Sequence, residues 1–279
     1  MDGLCEFFDR YTRLFVLTGA GMSTDSSIPG YRNADGVWQR SPPVLLNDFL
    51  RSESTRHRYW ARSMIGWPMV ANAQPNGAHT ALAHLEAEGC VEQLVTQNVD
   101  GLHQRAGSEN VIELHGNLAV VACLDCGARH SRAAIQQALE AENTWLRDEL
   151  ATTAPDGDAD IQGVDLASFR VPSCSRCGGV LKPDVVFFGE CVPRERVASA
   201  LLALERADAM LVIGSSLMVY SGYRFCEQAQ AMGKPIAAIN LGRTRGDHLL
   251  ALKVERSCAD ALRTLVEKLP VQRTALLST

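Results

Sequence analysis

Two short cysteine knuckles, Cys123-Leu-Asp-Cys126 and Cys174-Ser-Arg-Cys177, restrict what this 279-residue chain can fold into more than any other stretch. Each C-x-x-C puts two thiols on one tight turn, and two such turns complete a tetrahedral four-sulfur site of the kind that holds zinc. Residues 127–173 separate the pairs, so this part of the chain must leave as a small unit and fold back. Sulfur at all four positions leaves no open coordination site, and one structural Zn2+ per chain is expected. A redox role is the alternative, but neither pair opens a helix in a βαβ unit. The remaining cysteines, Cys5, Cys90, Cys191, Cys226 and Cys258, read as small apolar packing residues. Cysteines used in this way fit a reducing compartment.

The formal net charge is −5 and no long basic run is present. Nucleic acid is therefore disfavoured as a partner. No apolar stretch approaches the roughly 18–20 residues that cross a bilayer. Met1-Asp-Gly-Leu-Cys-Glu6 lacks the charge pattern of a signal or transit peptide. A cytoplasmic protein with no membrane partner is the expectation.

Apolar runs alternate with helical patterns along the rest of the chain. Leu14-Phe-Val-Leu17 reads as a buried strand, as do Val91–Thr96, the start of Val111–Asn117, Val185–Phe188, Ala209–Ile213, Pro235–Ile239 and Leu252–Glu255. Helices are expected over 52–65, bracketed by Pro42, Pro43, Pro68 and Pro75, and over 79–88, stopped by Gly89. Two more are expected over 222–232 and 259–269. The aspartate-rich stretch 152–165 reads as a solvated loop. This order predicts an α/β chain with a mostly parallel sheet, its ligand loops gathered at the carboxyl ends of the strands.

The first strand leads into Thr18-Gly-Ala-Gly-Met-Ser-Thr-Asp-Ser-Ser-Ile-Pro-Gly-Tyr-Arg32. Gly19 and Gly21 allow a sharp turn and a close approach to a ligand. Backbone N–H groups with Ser23, Thr24, Ser26 and Ser27 form a candidate diphosphate cradle, and Arg32 adds a planar cation. The fingerprint G-x-G-x-x-G would need glycine where Thr24 stands, and an acid near Trp38-Gln39-Arg40. Hydride transfer is disfavoured, and a structural turn without a ligand stays open. Gln97, Asn98 and Asp100 leave the second strand and His115 leaves the next. An imidazole suits general-base work near neutral pH. Gly214–Ser216, Asn240–Gly242 and Cys258 can face the same edge. Leu181–Glu190 reads as an ordinary core strand or as one to which a peptide adds. Tyr59 and Arg62 share a helix face, either as packing and surface charge or as a pair that reaches a substrate. His79, His84 and His103 read as structural or solvated.

Taken in order, GAGMSTDSSIPGYR, PNGAHTAL, TQNVDGLH, ELHGN, the two C-x-x-C pairs, KPDVVFFGE, GSSL and INLG resemble the sirtuin (Sir2) family of NAD-dependent protein deacylases. The resemblance runs from Leu14 to Leu269. Gly66-Trp-Pro68 and GSSLMVYSGYRF look like the class II branch that contains a mitochondrial sirtuin, and a bacterial member is expected. The resemblance implies an inverted Rossmann-type domain (1–37, 79–120 and 180–279), a helical insertion (38–78) and a zinc-binding module (121–179).

It also implies NAD as co-substrate. Gly19, Ala20, Gly21, Thr24, Tyr31 and Arg32 would line it, with Gln97, Asn98 and Asp100 at the nicotinamide ribose. Gly214, Ser215, Ser216, Asn240, Leu241, Gly242 and Cys258 would border the adenosine half. Val186, Phe187, Gly189 and Glu190, with Tyr59 and Arg62, would hold an acyl-lysine protein substrate. In the implied mechanism the acyl oxygen attacks ribose C1′ as nicotinamide leaves. Asn98 and Asp100 steady the cationic ribose, and His115 serves as general base. Free lysine, nicotinamide and O-acyl-ADP-ribose result. Protein ADP-ribosylation is an alternative on the same fold, and a non-enzymatic NAD-sensing module is a third reading. The oligomeric state is open and compatible with a monomer. Three places depart from the family pattern. Gly30 stands where an aspartate is usual, Gly77-Ala78 replaces Ala-Gly, and Ser221 stands where Val-x-Pro is more frequent.

Overall fold

Apolar runs of four or five residues become strands buried on both faces, the pattern of a sheet covered by helices on each side. The computed structural model describes residues 1–33, 35, 37–38, 43–146, 152–153, 159–160 and 164–268. Most of the 152–165 loop, Gln39–Pro42 and the end of the 259–269 helix lie outside them. The chain begins with α1 (Asp2–Arg10), β1 (Leu14–Thr18), α2 (Leu46–Arg51), α3 (Glu53–Asn72), α4 (Gly77–Ala87) and β2 (Val91–Thr96). It continues with α5 (Leu102–Arg105), β3 (Val111–Glu113), β4 (Gly116–Cys123), β5 (Arg129–Ser131), α6 (Arg132–Glu142), β6 (Thr152–Thr153), β7 (Ala159–Asp160) and β8 (Leu181–Val185). It ends with α7 (Arg194–Arg206), β9 (Ala209–Ile213), α8 (Tyr220–Ala231), β10 (Ile236–Ile239), β11 (Leu252–Val254) and α9 (Cys258–Lys268).

Six strands form a sheet in the order β11-β10-β9-β1-β2-β3, with every neighbouring pair parallel. Leu14, Val16, Leu211 and Ile213 pack on one face with residues of α1, α4 and α9. Phe15, Leu17, Met210 and Val212 pack on the other with residues of α7 and α8. The chain builds outward from β1 through β2 to β3, then returns to β1's other side with β9. The carboxyl ends of β1 and β9 therefore flank the topological switch point, where ligands collect in such sheets.

A second sheet, β5-β4-β8, is antiparallel. Its strands share a core with α3, joining Trp60, Leu118, Val121, Leu139, Leu181 and Phe187. The boundaries expected at 120/121 and 179/180 cut through this sheet, since β4 spans Gly116–Cys123 and β8 spans Leu181–Val185. The expected Val185–Phe188 strand is also shifted. Pro183, which has no N–H to donate, is tolerated because β8 is an edge strand. Regular pairing stops at Val185 because the next two N–H groups go elsewhere. Val186 N donates to His115 O (2.8 Å) and Phe187 N to the Glu190 carboxylate (2.8 Å).

The helix expected over 52–65 runs to Asn72 and contains Pro68. A mid-helix proline frees the carbonyl four residues back. That carbonyl, Met64 O, accepts from Gln136 Nε2 at 2.7 Å. Ser52 caps the start, its hydroxyl accepting from Thr55 N. No helix among the described residues is long and apolar enough to cross a membrane.

Candidate functional site

The ends of β1 and β9 interlock through backbone contacts. Gly19 N donates to Ile213 O (3.0 Å) and Gly21 N to Gly214 O (2.8 Å). A Cβ on Gly21 would lie 2.9 Å from Gly214 Cα, so the two loops can cross only where both residues are glycine. Met22 N and Ser23 N donate to Gly19 O and Ala20 O. The side chains expected to cradle a diphosphate are committed as well. Ser23 Oγ donates to Asp100 Oδ2 (2.8 Å), Thr24 Oγ1 donates to Gly21 O, and Ser26 Oγ accepts from Asn76 Nδ2. The loop is therefore an internally bonded scaffold, in which Ser23 and Thr24 both donate within the protein while lining a cavity.

One cavity of about 930 Å3 runs over these loops. It brings together Gly19, Ala20, Gly21, Thr24, Tyr31, Arg32, Gln97, Asn98, Asp100 and His115 from the amino-terminal half. Gly214, Ser215, Ser216, Asn240, Leu241 and Cys258 line it from the other half, as do Val186, Phe187, Gly189, Glu190 and Tyr59. Gly242 is not among the lining residues, although Leu241 and Arg243 on either side are. Arg62 is not there either. Its Nε donates to Ala159 O at 2.7 Å, which turns the guanidinium toward the zinc-side module. The expected Tyr59–Arg62 pair is thus split, and only Tyr59 faces the cavity.

His115 sits where β3 ends. Its Nδ1 is 2.9 Å from Gln97 O, and its Nε2 is 2.7 Å from Ser221 Oγ. A carbonyl oxygen can only accept, so Nδ1 carries the proton and Nε2 offers its lone pair. Burial is the main cause that holds the imidazole below its ordinary pKa; Arg196 and Arg224 add to it, and the bond to Gln97 opposes it. His115 is therefore a neutral base with one defined tautomer. Burial pushes the Asp100 carboxyl up, against the bonds from Leu102 N and Ser23 Oγ. Asn98 Nδ2 donates to Gly19 O and to Ser23 Oγ, both at 3.1 Å. Gln97 Nε2 donates to Ser215 Oγ (2.8 Å) and Thr18 O (3.2 Å). The β2 exit is thereby tied to both halves of the switch point.

The segment after β8 is braced by a buried cation. Lys182 Nζ pairs with the Glu190 carboxylate (3.0 Å), donates to Val185 O (2.6 Å) and lies 4.6 Å from the Phe187 ring centre. Tyr59, Phe187, Ile28, Val99 and Val185 give this end of the cavity apolar walls. Also in the lining, Trp38 stacks on Tyr31 and under the Arg32 guanidinium.

Residues that the sequence reading did not single out also line the cavity, among them Ile28, Ser221, Arg224, Arg243 and Arg256. Of these, only Ser221 carried a signal, as a departure from the family pattern. Cys191, read as packing, is exposed and lines the cavity. Cys258 opens α9, and burial pushes its thiol up to about 12, so it serves as a neutral apolar group. His79 and His103 are structural, as expected. His79 Nδ1 accepts from Asn76 N in a capping box, and His103 Nε2 contacts Thr18 Oγ1.

Outside the cavity lining, the sulfurs of Cys123, Cys126, Cys174 and Cys177 all lie within 4.8 Å of one another. The closest cross-knuckle pairs are 3.5 and 3.8 Å apart. These spacings match the edge of a thiolate tetrahedron around zinc, about 3.8 Å for Zn–S bonds near 2.3 Å. All nine cysteines are free of disulfides. The four-cysteine cluster fits a structural zinc.

A family model described as the Sir2 family matches residues 19–221. An NAD-dependent protein deacetylase of Xanthomonas campestris pv. campestris is 59% identical over 262 residues, covering 94% of this chain and 89% of that protein. An NAD-dependent protein deacetylase 2 of Bradyrhizobium diazoefficiens is 56% identical over 266 residues, covering 95% and 97%. A solved Sir2–p53 peptide–NAD+ structure aligns with a TM-score of 0.74 at 32% identity, over 94% of this chain and 96% of that one. A Sir2 structure bound to a propionylated peptide aligns with a TM-score of 0.74 at 31% identity, over 96% and 97%. The family match covers most of the chain and relatives are identical at more than half of the aligned positions, so this chain belongs to the Sir2 family.

Proposed function

We propose that the chain removes acyl groups from protein lysines at the expense of NAD, releasing nicotinamide, O-acyl-ADP-ribose and free lysine. The observation that carries this reading is the setting of His115. A neutral imidazole whose basic nitrogen meets only a hydroxyl, that of Ser221, lines the same cavity as Asn98, Asp100 and the Val186–Glu190 segment. When bound, NAD supplies an electrophilic ribose carbon with nicotinamide as its leaving group. The chain's own part is to bind, orient and move protons. Asn98 and Asp100, both fixed through Ser23, are set to face the positive charge that develops at the ribose. His115 Nε2 takes the proton from a ribose hydroxyl. The Val186–Glu190 segment leaves the β-ladder and is braced by Lys182, which suits an extended peptide added alongside it. The nearby walls exclude water from the reacting atoms.

The acyl end of the cavity is apolar, and Arg62 is turned away from it. Acetyl and other aliphatic acyl groups fit this lining, whereas a carboxylate-bearing acyl group finds no matching fork from Arg62. The parallel-sheet strands all fall within 1–37, 79–120 and 180–279, which supports these residues as the body of the NAD-binding domain. Free thiols throughout support a reducing, cytoplasmic setting.

The test is mass detection of products from acetyl-, propionyl- and succinyl-lysine peptides with NAD. Deacylation of the aliphatic peptides is expected, with loss of turnover in His115→Ala and unchanged acetyl turnover in Arg62→Ala. ADP-ribose retained on protein without peptide deacylation would favour the transferase reading instead.

A further inference from the structure

Ser221 has no part in the chemistry assigned so far, yet it makes the shortest contact to the catalytic imidazole. It is the second residue of α8, buried, and lines the cavity. Its Oγ is 2.7 Å from His115 Nε2. The opposite ring nitrogen is held by Gln97 O at 2.9 Å. These two holders are themselves interlocked. A Cβ on Gly222, the residue after Ser221, would lie 2.8 Å from Gln97 Cδ, so the start of α8 is seated directly on the Gln97 side chain. Gln97 is in turn fixed by Ser215 and Thr18. His115 is thus gripped at both nitrogens by one rigid unit.

We infer that Ser221 is a positioning residue for His115: Gln97 O sets the Nδ1–H tautomer, and the Ser221 hydroxyl fixes the ring at Nε2. A hydroxyl suits this place because it donates and accepts. Before turnover it donates to the Nε2 lone pair. Nε2 has a single lone pair, so a substrate hydroxyl must displace the Ser221 hydrogen bond to pass its proton there; the Ser221 oxygen then accepts from the new Nε2–H, and the ring is held before and after the transfer. Ser221 forms no covalent bond in this scheme. Alanine removes the contact, and threonine keeps it. The proposal rests on the deacylase reading given above for the kinetic part of its test only.

The experiment joins nitrogen NMR of the histidine side chains in 15N-histidine-labelled protein with steady-state kinetics on an acetyl-lysine peptide. In the unsubstituted protein the His115 signals are expected to be those of the Nδ1–H form. Ser221→Ala should shift the Nε2 signal downfield as its lone pair loses a donor, while the Nδ1–H form set by Gln97 O persists, and Ser221→Thr should restore the signal. Because a small misplacement of a reacting group is costly, kcat should fall about 10- to 100-fold in Ser221→Ala. KM for peptide and for NAD should stay within about twofold, and Ser221→Thr should recover most of kcat. Unchanged His115 signals in Ser221→Ala, or a kcat within twofold of the parent, would overturn the inference. So would a kcat loss matched by a rise in KM and not recovered by threonine. If the unsubstituted protein deacylates no peptide, the functional reading fails by itself, and the nitrogen signals still judge Ser221.

Discussion

Gly214→Ala is the perturbation that most directly tests how the cavity is built. Gly214 has φ +62°, a left-handed conformation that strains an alanine by about 1–2 kcal/mol. A stiffer unfolded chain returns about 0.4–1 kcal/mol of that. The new methyl would also meet Met22 N, Gly21 C at 2.7 Å and Cys258 Sγ at 3.1 Å. The first two are backbone atoms and cannot step aside, which adds roughly 1–3 kcal/mol of overpacking. Gly233 supplies the control, because it has φ +68° and nothing within 4 Å of an added Cβ. Gly233→Ala should therefore cost about 1 kcal/mol and Gly214→Ala about 2–4 kcal/mol. At about 2–4 °C per kcal/mol for a chain of this size, thermal melts should fall by roughly 2–4 °C and 4–16 °C respectively. The site should report the same difference: KM for NAD rises in Gly214→Ala, whose clash displaces the Ala20–Ser23 turn, and stays level in Gly233→Ala. Equal melting temperatures for the two variants would refute the claim that backbone contact between the β1 and β9 loops shapes the cavity.

Two further outcomes are expected. His79 and His103 are buried with ring centres 4.9 Å apart, and burial lowers them to about 4 and about 3. The unfolded chain takes up these protons near pH 6.5 and the folded one does not. Stability is therefore full above pH 6.5 and is lost as pH falls toward the folded values, at about 2.7 kcal/mol per pH unit for the two together. Urea midpoints measured at pH 7.5 and 5.5 should differ in that direction, and equal midpoints would contradict it. Stripping zinc from the loaded protein with a chelator should unfold the β4–β5–β8 module and abolish turnover, since a structural four-cysteine site contributes on the order of 10 kcal/mol to folding. Far-UV circular dichroism and activity, read alongside metal content, check this; full activity in metal-free protein would exclude a structural role.

Much of this architecture is legible in the chain because its signals are local. Leu14–Thr18, Ala209–Ile213 and Ile236–Ile239 are unbroken apolar runs, and they become the buried centre of the sheet. The cysteine knuckles depend only on spacing, and His115 only on its place at a strand exit. What escaped depends on distant partners. The α3 helix passes through Pro68 because Gln136, which bonds Met64 O from 72 residues away, satisfies the carbonyl that proline frees. Arg62 leaves the cavity because Ala159, beyond the first cysteine knuckle, offers it a carbonyl. Ser23 and Ser26 look like ligand groups in the sequence, yet Asp100 and Asn76 claim them in the fold. A side chain's type shows what it can bind, but its neighbours decide whether it is already bound.

The two departures that touch the cavity obey a common rule. Gly30 lines the cavity, and an added Cβ there would meet only Arg32 O at an ordinary 3.6 Å. The missing carboxylate is thus a chemical choice, since the fold leaves room for a side chain. Ser221 lies in the first turn of α8, where a residue without an N–H is accepted as readily as one with it. At both places the backbone asks for nothing specific. Gly21, Gly214 and Gly222 are different, since each is hemmed by backbone or by Gln97 at less than 3 Å. Substitution at the first pair retunes the groups presented to NAD and to His115, whereas substitution at the three glycines displaces the loops that carry them. Differences in rate and acyl preference between this chain and its relatives should therefore concentrate at cavity positions of the first kind.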